Sequence, residues 1–178
     1  MSAKKILLAA IGLVAGYKLY KASNPKIPEN VVPVTGFDLN RYLGKWFEVA
    51  RVDNRFEKGL IKTTAEYTLN GDGTVSVLNS GVDEVSDRHK RASGTAVFVQ
   101  GKDVGALKVS FFGPFYGGYN IVALDEDYQW AIIAGSSPKY FWVLSRTPNV
   151  PTELRERAIQ AAVNIGINPK NINWVSQA

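Results

Sequence analysis

At 178 residues the chain has the length of one domain with a sizeable core, and 46% of its residues are hydrophobic. Its net charge of +5 belongs to the N-terminus: Lys4, Lys5, Lys18, Lys21 and Lys26 have no acid among them, and the remaining 16 basic residues meet 16 acids. A neutral body lacks the electrostatic footprint of a nucleic-acid binder, and the absence of cysteine excludes a disulfide, a thiolate nucleophile and a thiolate metal site.

In chain order, residues 1–24 form the first unit. Lys4-Lys5 precedes an apolar run from Ile6 to Tyr17, the pattern of a secretory signal. The run falls short of the roughly 20 residues of a spanning helix. Two outcomes stay open: cleavage near Val14-Ala15-Gly16, or retention as a short anchor with Lys18 snorkelling. Residues 25–34 read as a linker, and residues 35–178 as the folded domain.

From Leu43 onward, short apolar stretches alternate with turn signals at roughly ten-residue spacing. This predicts strands over 43–52, 61–69, 74–81, 92–100, 104–112, 117–125, 128–135 and 139–146. Asn70-Gly71-Asp72-Gly73 suits a tight hairpin between the second and third. The run Arg88-His89-Lys90-Arg91 reads as a solvated loop. Only residues 151–165 have helical periodicity, with Leu154, Ala158, Ala161 or Ala162, and Ile165 on one narrow face that suits the outside of a barrel. Ile172 to Val175 returns as a short strand. The expected fold is all-β: an eight-stranded antiparallel up-and-down barrel with one C-terminal α-helix.

Four stretches carry a family resemblance. Asp38 to Arg51, with Gly44-Lys45-Trp46 at its centre, resembles the lipocalin opening. Leu124 to Tyr128 resembles the second region of that family, and Arg146 the arginine that leaves the eighth strand. Phe111 to Tyr119 resembles the matching stretch of the bacterial outer-membrane lipocalins. The resemblance implies a barrel with a cavity, no catalysis and no cofactor, holding a hydrophobic ligand such as a fatty acid or lysophospholipid for storage or transport in membrane maintenance. It also implies export to the periplasm or outer membrane, membrane association, and room for a homodimer. Val14-Ala15-Gly16 resembles the residues before the acylated cysteine of bacterial lipoproteins, but Tyr17 stands in its place, so the chain is not expected to be a lipoprotein.

Within that frame, Trp46 and Arg146 are expected to close one end as a structural pair, the guanidinium lying over the indole. Strand alternation then turns Leu144, Trp142 and Tyr140 inward, with Trp142 about 13 Å above the plug at about 3.3 Å per residue. Weaker parity arguments turn Tyr67, Phe98, Tyr119 and Ile121 inward. With Tyr116 and Phe112 near the mouth, and with Asn79 available to a polar head group, these are the candidate ligand-binding residues. The same parity buries Glu48, which then needs a cation such as Arg51 or Lys108, or a ligand.

Two rival classes compete with a carrier. His89 is the sole histidine and sits among cations, so neither a triad nor a metal site is built around it. Asp125, Glu126 and Asp127 are spaced as a turn, not a calcium loop. An enzyme acting on a lipophilic substrate would rest on Glu48 with Tyr67. A protein-interaction module would use the outer helix or the aromatic mouth.

Overall fold

The computed structural model describes residues 25–54 and 57–178, so the expected signal or anchor over residues 1–24 lies outside the described residues. A single helical turn, α1 (Leu39–Tyr42), precedes eight strands: β1 (Gly44–Val52), β2 (Leu60–Leu69), β3 (Val75–Asp83), β4 (His89–Phe98), β5 (Ala106–Phe112), β6 (Phe115–Leu124), β7 (Trp130–Ala134) and β8 (Phe141–Ser145). Helix α2 (Thr152–Asn164), a 3-10 turn and β9 (Ile172–Trp174) follow. Consecutive strands pair antiparallel, and β1 pairs with both β2 and β8, which closes the ring. The fold is the expected eight-stranded up-and-down barrel with one main C-terminal helix.

Several boundaries differ from the sequence pattern, each for a local reason. The run Arg88–Arg91 is not simply a loop: β4 begins at His89, and the backbone of Lys90 faces Gly81 in the ladder while its side chain reaches Asp83 at 2.7 Å in solvent. β7 begins at Trp130 because Tyr128, with φ 58°, belongs to the turn that returns the chain. β8 begins at Phe141 because Tyr140 N–H donates to the Ser137 carbonyl at 3.0 Å and closes the preceding turn.

Alternation divides the side chains into two cores. Trp46, Ala65, Tyr67, Val77, Ala96, Leu107, Ile121, Ile133 and Leu144 fill the interior of the barrel. Leu154, Ala158 and Ala162 of α2 cover Val49, Ala50, Ile132, Ala134, Phe141 and Val143 on the outside. This explains why Trp130 to Ala134 and Phe141 to Leu144 read as unbroken apolar runs: both faces of β7 and β8 are buried.

The seam between β1 and β2 is closed in two parts. The strands pair directly over Gly44–Phe47 only. Beyond that point β9 lies along Ala50–Val52, and Lys62 N–H donates to the Ser176 carbonyl at 2.7 Å. The Gln177 amide then bridges the Glu48 and Thr63 carbonyls at 2.8 and 3.1 Å.

One end is plugged. Gly44 takes φ 88°, a conformation that favours glycine, and swings the chain from α1 into β1 so that Trp46 enters the base fully buried. Its indole N–H donates to the Tyr42 carbonyl at 2.8 Å. The Arg146 guanidinium lies 3.8 Å from the indole centroid and donates to the carbonyls of Lys45, Arg41 and Leu43 at 2.8, 2.8 and 3.0 Å. A planar five-donor fork meets this set where a lysine ammonium cannot. The lost cation–π contact, about 1–2 kcal/mol, and the orphaned carbonyls, about 1 kcal/mol or more each, set the scale. Arg146→Met is expected to cost about 3 kcal/mol in urea denaturation, and Arg146→Lys to recover less than half of it. Full stability in the lysine variant would show that charge alone suffices.

Candidate functional site

The barrel interior is layered. Above the plug, Tyr42 of α1, Tyr67 of β2 and Tyr119 of β6 bring their hydroxyls together: Tyr119 lies 2.6 Å from Tyr42 and 2.8 Å from Tyr67, oxygen to oxygen. Burial pushes the pKa of all three well above the ordinary tyrosine value, so the floor is polar but uncharged. Three hydroxyl protons serve two mutual hydrogen bonds, which leaves the cluster one donor to spare.

Higher up, inward-pointing side chains retain exposure to solvent. Val109 and Phe111 of β5, Tyr119 of β6 and Trp142 of β8 join the interior cluster yet are only half-buried, and Asn79 of β3 is likewise half-buried. A side chain that points into a closed ring and still meets solvent lines open space. The cross-strand neighbours are small: Ala96 faces Val109, and a Cβ on Gly94 would come within 2.8 Å of the Phe111 ring. Asn79 presents a buried Oδ1 with no protein partner.

The polar groups of the mouth hang on a bulge in β1. The register shifts between Glu48 and Ala50, so Glu48 faces Leu144, Ala50 faces Val143 and Arg51 faces Trp142. Leu144 and Trp142 are interior residues, so the bulge turns both members of an i,i+3 pair inward. The Arg51 guanidinium, fully buried, donates to Glu48 Oε1 at 2.8 Å, to Asp53 at 2.8 Å and to the Leu60 carbonyl at 2.9 Å. Thr63 Oγ1 donates to Glu48 at 3.2 Å. Above them the Trp142 indole N–H donates to Glu57, at 3.2 and 3.1 Å from its two oxygens, and Asn54 also donates to Glu57. The chain after β1 thus folds over part of the mouth. Burial, then the neighbouring Glu57 carboxylate, push Glu48 up to about 7 against the pull of Arg51.

Of the residues singled out from sequence, Trp142, Tyr119, Tyr67, Phe98 and Ile121 belong to the interior cluster and Asn79 shares their face of the sheet. Phe98 and Ile121 sit toward the base, Phe98 with its ring 6.2 Å from that of Phe37. Tyr140 lies at the rim, stacked on Trp142 with ring centroids 6.0 Å apart. Phe112 is exposed at the β5–β6 tip, and the Tyr116 ring carries the Lys108 ammonium at 4.4 Å. Glu48 and Arg51 form the pair that parity demanded of Glu48. Tyr42 and Glu57 were not singled out: Tyr42 lies in a helical turn and Glu57 in a polar loop, and neither position has an inward parity to read.

Comparison with known proteins places this geometry. The family model of a lipocalin-like domain matches residues 37–177. The chain is a lipocalin. It is 41% identical over 173 residues to the "Outer membrane lipoprotein Blc" of Citrobacter freundii, covering 97% of this chain and 98% of that one. With the protein of the same name from Vibrio cholerae it shares 47% over 152 residues, covering 85% and 89%. Among solved structures, the cockroach allergen Per a 4 superimposes with a TM-score of 0.65 at 17% identity, covering 88% of this chain and 96% of that one, a likeness of fold.

The raised Glu48 predicts a pH effect. The folded state holds this proton more tightly than the unfolded chain, whose glutamate titrates near pH 4.3, so its contribution to stability is full below about pH 4 and is lost as pH rises toward about 7. The wild type is expected to lose roughly 2–3 kcal/mol over that window relative to Glu48→Gln, measured as parallel denaturation series from pH 4.5 to 8. Identical slopes in the two proteins would refute the assignment.

Proposed function

We propose that this lipocalin carries a fatty acid or lysophospholipid non-covalently, with the acyl chain in the upper lumen and the polar end at the mouth. The observation that supports this most is the layering itself: a plugged base, half-buried inward side chains above it, and charged groups only near the opening. A lumen lined by Val109, Phe111 and Trp142 accepts methylenes, each contributing about 0.8 kcal/mol on burial. The polar end then lies at the rim, where Tyr140 keeps contact with solvent. Trp142, Tyr119, Tyr67 and Asn79 are the contacts we assign first; Tyr140 borders them at the rim. No step in this reading breaks a covalent bond, and the site acts by holding its cargo.

The cellular setting we infer is the envelope, in maintenance of its lipids, because the Citrobacter and Vibrio relatives are named outer membrane lipoproteins. This chain has no cysteine to acylate. Its basic and apolar N-terminus over residues 1–24 supplies the export signal or the hold on the membrane in place of a lipid anchor.

Organic extraction of the purified protein followed by mass spectrometry is expected to release a single-chain lipid. Trp142→Ala is expected to weaken binding of a fluorescent fatty acid at least about tenfold, or 1.4 kcal/mol, while leaving the denaturation midpoint near that of the wild type. Trp46→Ala is expected to cost about 3–5 kcal/mol of stability. An empty barrel that refuses both lipid classes, or unchanged affinity in Trp142→Ala, would overturn this reading.

A further inference from the structure

The two ends of the barrel differ in the side chains that their loops expose. At the plugged end the hairpin tips are polar: Asn70 to Gly73, Gln100 to Asp103 and Asp125 to Asp127 hold five acids and one lysine. At the open end, three tips hold a large apolar side chain in solvent among the described residues. Val85, between β3 and β4, is 96% exposed; Phe112 and Phe115, facing one another across the β5–β6 turn, are 73% and 78% exposed; Tyr140, before β8, is 36% exposed. Val85, Phe112 and Phe115 serve neither the interior nor the layer under α2, and Tyr140 touches the interior only through its stack on Trp142. Among the described residues the other exposed large apolar ones, Val32, Leu69, Ile159 and Val163, are spread over the linker, the end of β2 and α2.

A second observation points the same way. The described chain begins at Pro25, and Pro28 lies in a cleft with Ser137, Pro138 and Tyr140, beside the β7–β8 tip at the open end. From there the chain runs down the outside of the barrel, through Val34 N–H on the Ile121 carbonyl, to Phe37 N–H on the Asp103 carbonyl at the plugged end. The described chain therefore enters the fold on the side of the mouth, and in the sequence the apolar run Ile6 to Tyr17 precedes it.

We propose that the open rim is a membrane-contact surface: Val85, Phe112, Phe115 and Tyr140 enter the interface of a phospholipid bilayer, and the mouth of the barrel faces that bilayer. Apolar and aromatic tips gain by leaving water for the headgroup–acyl boundary. The five acids of the opposite end are disfavoured against an anionic leaflet, so one orientation is selected. The charges of the β3–β4 tip balance, Asp83, Glu84 and Asp87 against Arg88, Lys90 and Arg91, which lets Val85 approach without a net repulsion. This surface goes beyond the carrier reading and stands apart from it, since an empty barrel would dock in the same way.

The chain has no cysteine, so single-cysteine variants of the full chain label cleanly. Val85→Cys, Phe115→Cys and, at the plugged end, Leu69→Cys would each carry an NBD fluorophore and be mixed with phosphatidylethanolamine–phosphatidylglycerol vesicles. The expected result is a blue shift and several-fold brightening at 85 and 115, quenched by doxyl-labelled lipid, with no change at 69. Adding Phe112→Ser should abolish the quenching at 85 while the protein still sediments with vesicles through residues 1–24. No response at 85 and 115, or an equal response at 69, would overturn the proposal. So would a blue shift in vesicle-free buffer that grows with protein concentration, which would assign the rim to a second copy of the chain. Fatty-acid affinity measured on the same variants without vesicles tests the carrier reading separately.

Discussion

The structure depends on one contact set, the Arg146 guanidinium over the Trp46 indole. An eight-stranded ring has an interior just wide enough for side chains to fill or to hold one small ligand, and one end must be blocked if that interior is to stay apolar. The block is made by joining distant parts of the chain: Arg146 binds carbonyls that precede it by 101 to 105 residues, in the α1–β1 corner. Because those carbonyls belong to the corner that delivers Trp46, the arginine fixes the indole and its support at once. With the base fixed, alternation assigns every inward residue, and the opposite end becomes the mouth.

Above the plug, polar groups are admitted in a graded way. The three tyrosines near the base share two hydrogen bonds and remain neutral, which costs far less in an apolar setting than a charge would. Charge appears only at the level of Glu48 and Arg51, where Asp53 and Glu57 also approach, and there the carboxylates outnumber the guanidinium. An unpaired buried carboxylate is costly. Arg51 offsets that cost for Glu48 only in part, as the upward displacement of its titration shows. Polarity therefore rises toward the opening, the order that an amphiphile entering tail-first would meet.

Much of this was legible in the residues themselves. Gly44, Trp46 and Arg146 marked the base, and the period of two carried Trp142 and Leu144 to the inner face. Helix α2 declared itself by the spacing of Leu154 and Ala158 with Ala161 or Ala162, and packing chose Ala162. What stayed hidden were the irregularities. Nothing in Glu48-Val49-Ala50 announces a bulge, since no glycine or proline marks it, yet the bulge brings Arg51 inside, where regular alternation would have left it outside. The positive φ of Tyr128 and of Lys62 is equally silent, for both residues would pass as ordinary strand members. The hydroxyl floor needed Tyr42, whose place depends on how α1 packs across the base and on no local pattern.

The two-part seam between β1 and β2 bears on when the molecule can fold. Its upper half is closed by β9, Ser176 and Gln177, residues synthesised after every other described element. A chain that emerges N-terminus first can join β8 to β1, but it holds this upper seam open until those residues are free. Closure of that seam is thereby deferred until the last described strand has been made, and a polypeptide that must be threaded through a membrane before folding has that delay written into its topology.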